Sequence, residues 1–266
     1  QGFLCPMVSE EYGGIGADFL YSVVVSEEIS RAGLTGIGWG LHTEIVAPYI
    51  EHYGSEEMKQ RLLPKMVSGE LIGAIAMSEP GAGSDLQGVK TNAVKDGDHY
   101  ILNGSKTFIT NGQNADIVIV VAKTDPSKGA KGTSLLIVEE GMEGFQKGKN
   151  LKKVGMKAQD TSELFFQDVK VPAENLIGDE GMGFIYLMQE LPQERLGIAI
   201  NGLAMAESAF EHTLDYVKER KAFGQRVADF QNTQFKLAEL RTKLDVARAY
   251  VDRCLEGTLT QAEIRR

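Results

Sequence analysis

Leu71-Ile72-Gly73-Ala74-Ile75-Ala76-Met77-Ser78-Glu79-Pro80-Gly81-Ala82-Gly83-Ser84-Asp85 is where the texture of this chain changes. Leu71 to Met77 is a short apolar run of strand length, and the segment after it is punctuated by glycine. Upstream, from Gly16 to Gly69, the period is helical: Phe19, Leu20, Val23, Val24, Val25 and Ile29 fall on one broad face, Glu27 and Glu28 on another, and Gly33 supplies a stop. Leu41 to Tyr53 and Ser55 to Val67 read as further helices, the second with Ser55 as N-cap and Gly69 as terminator. Downstream, His99 to Leu102, Thr107 to Thr110, Ile117 to Ala122, Ser134 to Val138 and Glu163 to Val171 read as strands between Gly, Asn and Asp clusters. Asp96-Gly97 and Asn103-Gly104 suit tight hairpin turns. No helix-length segment separates these strands, which disfavours a parallel βαβ sheet and points to an antiparallel β domain, a small barrel or sandwich. From Gly181 the helical period returns, with Leu196, Ile198, Ala199, Leu203, Met205, Ala206, Ala209 and Phe210 on a wide apolar face, then a second helix from about Asp229 to Leu255. The expected class is α+β: helices in 1–70, a middle antiparallel β domain in 71–175 and helices again in 176–266.

The 266 residues, 42% hydrophobic and 24% charged, are ample for a packed core and exclude disorder as the main state. The longest apolar run, Ile117 to Ala122, is far below the roughly 20 residues of a membrane span. With 28 Lys and Arg against 37 Asp and Glu, net −9, the chain carries no footprint for nucleic acid, and an anionic ligand needs a local basic site. Cys5 and Cys254 lie far apart in sequence with no CxxC, and His42, His52, His99 and His212 form no pair at metal-ligand spacing; neither a disulfide framework nor a zinc site is expected, and a reducing compartment is. The opening residues lack the marks of a signal peptide, the first residue is not Met, and the last ones read as mid-helix, so the sequence is expected to be an internal piece of a longer protein.

In Glu79 to Asp85, two glycines in three positions let backbone N–H groups turn toward a ligand, with the Ser84 hydroxyl beside them; a plain surface loop is the alternative. It is not a GxGxxG fingerprint, and Gly144 to Lys149 is not a P-loop. Asn103-Gly104-Ser105 fits a glycosylation pattern but reads better as a hairpin turn. In Leu191-Pro192-Gln193-Glu194-Arg195-Leu196, Pro192 suits the first position of a helix, which places Glu194 in a first turn, where the dipole alone favours an acid. Phe223-Gly224 reads as the close of a helix ending in Lys218, Glu219, Arg220 and Lys221.

Taken as motifs, Pro6-Met7-Val8-Ser9-Glu10-Glu11-Tyr12-Gly13-Gly14, Ala76 to Asp85, Gly104-Ser105-Lys106-Thr107-Phe108-Ile109-Thr110-Asn111-Gly112 and Glu219-Arg220-Lys221-Ala222-Phe223-Gly224 make the chain resemble the acyl-CoA dehydrogenases over its whole length. Leu191 to Leu196 is most similar to the family's long-chain type. The resemblance implies an N-terminal helical domain, a middle β-barrel and a C-terminal four-helix bundle, assembled as a homotetramer, with pieces of the family's fold lying before and after the sequence. It implies α,β-dehydrogenation of a fatty acyl-CoA thioester in β-oxidation, with FAD as hydride acceptor and an electron-transferring flavoprotein as electron acceptor. A cytoplasmic place in a bacterium, or the mitochondrial matrix in a eukaryote, goes with it.

Residue by residue, the resemblance sets Ala76, Met77, Ser78, Glu79, Gly81, Gly83 and Ser84 against the flavin, with Phe108 packing on the ring, Ile109 adjoining it and Thr110 donating near its reactive nitrogen. Arg220, Phe223 and Gln231 match residues that reach the FAD of a neighbouring subunit. Ser84, Pro192, Gln193, Glu194 and Arg195 match the segments along the acyl-CoA. The family's base is a glutamate; most members carry it in a C-terminal region beyond this sequence, but the long-chain and isovaleryl types carry it directly before a helix arginine, which here is Glu194. A carboxylate held dry near the α-carbon can take its weakly acidic proton while hydrogen bonds hold the enolate-like oxygen. Desolvation would raise the pKa of Glu194, while Arg195 and a helix N-terminus would lower it. Two alternatives remain open: a branched short-chain dehydrogenase of the isovaleryl type, and a catalytically silent flavin or acyl-CoA binding scaffold.

Overall fold

A computed structural model describes residues 2–265, with side chains through Thr258. Helix α1 (Phe19–Arg31) starts on Asp18, whose carboxylate accepts the Leu20 N–H. A π-helical segment, Leu41–Val46, runs into α2 (Ala47–Tyr53), and α3 (Glu56–Ser68) follows. The expected cap of α3 is present: Ser55 Oγ accepts from Met58 N at 3.2 Å, and Gly69 takes a left-handed φ of 79° past the last turn.

The strands are β1 (Gly73–Ala76), β2 (Asn92–Asp96), β3 (His99–Thr110), β4 (Ile117–Lys123), β5 (Thr133–Glu139), β6 (Phe145–Asn150), β7 (Thr161–Pro172) and β8 (Leu176–Ile177). They pair in the order β6-β7-β3-β2-β4-β5-β8, with β1 alongside β4. The path ends at β6 and β8, which do not pair with each other, so the expected closed barrel does not form. Instead two half-sheets, joined by one register pair between Asn92 and Lys123, fold over a shared core. The β1–β4 pair is parallel, from Gly73↔Ile117 to Ala76↔Val120, an exception to the otherwise antiparallel expectation.

Strand β4 explains the layering. Ile117, Ile119 and Val121 face the helices with Tyr49, Ile50, Leu62, Leu63 and Met66, while Val118, Val120 and Ala122 face Tyr100, Leu102, Leu164, Val169 and Val171 across the fold. All seven residues of β4 are buried, as a strand covered on both faces requires.

Asp96-Gly97 does turn β2 into β3, with Gly97 at φ 64°. Asn103-Gly104 does not turn: it lies inside β3, at an irregularity in its pairing with β7. The glycine is there for a close approach, since a Cβ at Gly104 would stand 2.3 Å from Thr91 Oγ1, and Asn103 is bonded in both directions to Asp168. Phe223-Gly224 likewise closes no helix. Helix α4 (Gly183–Glu219) ends earlier, and the dipeptide is the two-residue turn between β9 (Lys221–Ala222) and β10 (Gln225–Arg226). Both turn residues have positive φ, 53° and 80°, as the mirror-image turns of hairpins require. Helix α5 (Gln231–Arg265) is the last element.

Packing groups these elements into two compact units. One comprises the chain up to Ala17 with Thr35–Pro192, and holds both halves of the sheet, α2, α3 and the first turns of α4. The other comprises Asp18–Leu34 and the chain from Gln193 onward, so α1 packs with the rest of α4 and with α5. Inside this second unit Arg248 forks onto Glu207 at 3.0 and 2.7 Å and reaches Glu27, while Arg31 holds Glu27 at 3.0 Å and Glu207 at 3.5 Å. Ser208 Oγ donates to the Arg31 carbonyl at 2.9 Å. Hydrogen bonds from Arg248 hold the Glu207 carboxyl below the usual carboxylate range.

Candidate active site

In the first unit, β1 ends at Ala76 and releases the chain into the glycine-rich loop. Glu79 and Ala82 exchange backbone hydrogen bonds at 2.8 and 3.1 Å, a tight turn that leaves Gly81, Gly83 and Ser84 exposed. A Cβ at Gly81 or Gly83 would meet nothing within 4 Å. Open space therefore lies over this backbone.

Strand β3 brings the second expected segment against that loop. Thr107 N donates to the Ser78 carbonyl at 3.0 Å, and Lys106 Nζ donates to the Met77 carbonyl at 3.1 Å and to Glu79 Oε1 at 2.9 Å. Glu79 in turn accepts from the amides of Lys90 at 2.8 Å and Thr91 at 2.9 Å. The register of β3 with β7 slips a second time between Lys106 and Ile109. At this slip Phe108 takes φ 60° and turns its ring out, 70% exposed, while Ile109 is 2% exposed and lies in the core. A bulky residue held in the left-handed region is strained backbone, and such strain marks sites where the side chain's direction matters. Thr110 follows, half-buried, and then Asn111, whose Nδ2 donates to the Gly38 and Gly73 carbonyls at 3.2 Å.

The pair under the loop is charged and dry. Burial pushes the Lys106 amine down to about 8 against the pull of Glu79. Burial also acts to raise the Glu79 carboxyl, but hydrogen bonds from Thr91, Lys90 and Lys106 hold it below its ordinary value.

The residues expected against the flavin thus divide by depth. Gly81, Gly83, Ser84 and Phe108 are exposed on the first unit, Ser78 and Thr110 are half-buried, and Met77 is half-buried against its core. Ala76 and Ile109 are core side chains, and Glu79 is turned inward to Lys106, so only their backbone is left for a ligand. An exposed aromatic face beside open glycine backbone and a threonine hydroxyl fits a flat ring with a polar rim. Sequence reading passed over Lys106, although a lysine in the middle of an otherwise sheet-like run was a visible signal.

The expected substrate segment is placed differently from the sequence reading. Pro192 is not the first residue of a helix: it lies inside α4, which begins at Gly183. Its ring forgoes one i→i−4 hydrogen bond inside a 37-residue helix. Glu194 therefore has no helix N-terminus beside it, and the dipole reading of this acid falls away. In the second unit Gln193 and Glu194 are half-buried on α4, and Arg195 is exposed. Arg220 follows α4, Phe223 is 96% exposed at the hairpin turn, and Gln231 opens α5, also exposed. Phe223 meets Phe230 edge-on at 6.4 Å between centroids. Among the described residues no cluster of His, Cys, Asp and Glu could hold a metal ion, and no helix is long and apolar enough to cross a membrane.

Comparison with known proteins gives consistent matches. Family models described as acyl-CoA dehydrogenase N-terminal, middle and C-terminal domains match residues 1–70, 74–169 and 181–265. A long-chain specific mitochondrial acyl-CoA dehydrogenase of Sus scrofa is 57% identical over 96% of this chain and 60% of its own length. A mitochondrial isovaleryl-CoA dehydrogenase of Pongo abelii is 46% identical over 94% of this chain and 61% of its own. The crystal structure of an acyl-CoA dehydrogenase from Geobacillus kaustophilus superposes with a TM-score of 0.96 at 57% identity, covering 98% of this chain and 69% of that one. The chain spans about 60% of the length of the curated relatives it matches.

Proposed function

We propose, from the premise that the chain belongs to the acyl-CoA dehydrogenase family, that the protein carrying it is an FAD-dependent enzyme introducing an α,β double bond into medium- to long-chain straight acyl-CoA thioesters. What supports this reading most is the pair of contacts from Lys106 and Thr107 to Met77 and Ser78, which sets the loop after β1 against the stretch carrying Phe108 and Thr110, the two segments that the family's pattern assigns to the flavin. FAD, when bound, supplies the acceptor for the hydride that leaves the β-carbon. Phe108 offers the ring face, Thr110 a hydroxyl at its rim, and the backbone at Gly81 and Gly83 an unobstructed approach. Arg220, Phe223 and Gln231 serve the FAD of a neighbouring subunit, in a homotetramer.

Glu194 acts as the base. Its carboxylate removes the α-proton; Ser84, and separately Pro192, Gln193 and Arg195, match the positions that the family's pattern assigns to the acyl-CoA. The preference for long straight chains is supported by greater identity to the long-chain relative than to the isovaleryl one, 57% against 46%. An electron-transferring flavoprotein then reoxidises the enzyme, in the mitochondrial matrix of a eukaryote or the cytoplasm of a bacterium.

The test is anaerobic titration of the yellow protein with acyl-CoA. Bleaching by long straight-chain substrates is expected, and Glu194→Gln should abolish it while FAD stays bound, a loss of about 10³-fold or more for a removed base. Full turnover by that variant would assign the base elsewhere. A clear optimum on isovaleryl-CoA would overturn the chain-length reading, and a yellow protein that no acyl-CoA bleaches would make the chain part of a silent scaffold.

A further inference from the structure

Lys106 is a fully buried cation in a position where a hydrophobic side chain would pack at lower cost. Its exposure is 0%, and a lysine is almost never so deeply buried unless it is paired. Its partner, Glu79, is itself 9% exposed. Replacing a buried pair with apolar groups is often neutral or stabilising, so stability alone is a poor account of why the pair exists.

The geometry offers a better account. Lys106 Nζ holds two points of one loop, the Met77 carbonyl and the Glu79 carboxylate. That carboxylate passes the connection on to the amides of Lys90 and Thr91, where the same loop returns to β2. One ammonium therefore fastens both the outgoing and the returning end of a loop whose crown, Gly81 and Gly83 to Asp85, is exposed around a buried Ala82. Lys106 also lies two residues before Phe108, on the strand whose register slip turns that ring outward. No apolar side chain can hold a carbonyl oxygen and a carboxylate together.

We propose that Lys106 is a positioning residue for the flavin, its buried contact with Met77 and Glu79 setting the level of the loop 77–91 against Phe108 and Thr110. The proposal rests on the flavin-binding reading above and assigns a role to a residue that reading leaves out. The lowered pKa of the amine agrees with a site that excludes water.

The experiment uses the whole protein that carries this chain. Lys106→Met combined with Glu79→Gln removes both charges and so leaves no lone buried carboxylate to unfold the sheet. Hydrogen exchange of the amides of residues 77–91 is followed in the flavin-free protein, and FAD dissociation and the flavin's visible spectrum in the loaded one. Exchange and dissociation are expected to quicken by about tenfold, the worth of a lost hydrogen bond to a charged group, with a shifted spectrum and unchanged cooperative unfolding. Lys106→Arg, which keeps both donors, is expected to restore slow exchange. Exchange and dissociation equal to the parent's in the double variant would overturn the proposal, as would fast exchange in a folded Arg variant. A parent protein that takes up no FAD would instead refute the flavin reading itself, while the flavin-free exchange rates still decide whether Lys106 sets the loop.

Discussion

Two histidines in the first helical stretch answer acid in opposite senses. His42 is buried between the Gly73 amide, which donates to Nδ1 at 3.0 Å, and the Met66 carbonyl, which takes the proton of Nε2 at 3.0 Å. Burial lowers its pKa against the pull of Met66, so below the ordinary 6.5 the unfolded chain binds the proton first and acid costs stability. His52 is bonded to Glu190 at 2.9 Å, which raises its pKa; that contact stabilises the fold below 6.5 and its contribution is lost as pH rises through the raised value. His52→Gln should therefore steepen the fall in melting temperature on acidification from about pH 7.5 to about pH 5.5, by roughly 2–4 °C per kcal/mol of lost linkage. A slope identical to the parent's in calorimetry would remove the Glu190 contact from the account. At this scale the sequence was least legible. Gly104 has the dipeptide chemistry of a turn and serves a close approach to Thr91, and Lys106 has the composition of a surface residue and lies in the core, because both positions are decided by neighbours distant in sequence.

Among the elements, α3, β4, β5 and β7 were readable because their period and caps agree with their burial. Strands β2 and β6, Asn-Ala-Val-Lys-Asp and Phe-Gln-Lys-Gly-Lys-Asn, lack a clear alternation and were not. Helix α4 swallows Pro192, which local rules put at a helix start, since a long helix held by packing tolerates one missing hydrogen bond. The hairpin β9–β10 gives the sharpest test of an element against its use. Its first turn position holds Phe223 at φ 53°, where Asn is the comfortable choice. Phe223→Asn should stabilise the hairpin by about 0.5–1 kcal/mol, read by hydrogen exchange of its amides, and at the same time speed FAD loss if the ring serves a neighbouring subunit's cofactor. Gain of protection without loss of flavin would leave the phenylalanine with no part in binding.

For the molecule as a whole, the order of helices, strands and helices was legible from periodicity, whereas the division into packed units was not. Asp18–Leu34 groups with residues 193 onward, a partnership between distant stretches that no local pattern announces. Its ties include Arg248 with Glu207 and Glu27, and Ser30 Oγ with Asn201 Oδ1 at 3.0 Å. Arg248→Met should leave Glu27 and Glu207 to Arg31 alone and cost the second unit on the order of 2 kcal/mol, seen as an earlier calorimetric step or faster exchange confined to α1, α4 and α5. Destabilisation spread evenly through the sheet would contradict that grouping. The β-layer, for its part, is a zip whose two halves share one tooth of ladder, with the end of β3 tied to β1 and its loop by Thr107 N to Ser78 and Asn111 Nδ2 to Gly73. Asn92 faces Lys123 there, and beside them Lys123 N donates to the Thr91 carbonyl at 2.8 Å. Warming that parts this tooth and those ties would bare Val118 and Val120 while every longer ladder stays whole, so stickiness between molecules should begin before the strands themselves come undone.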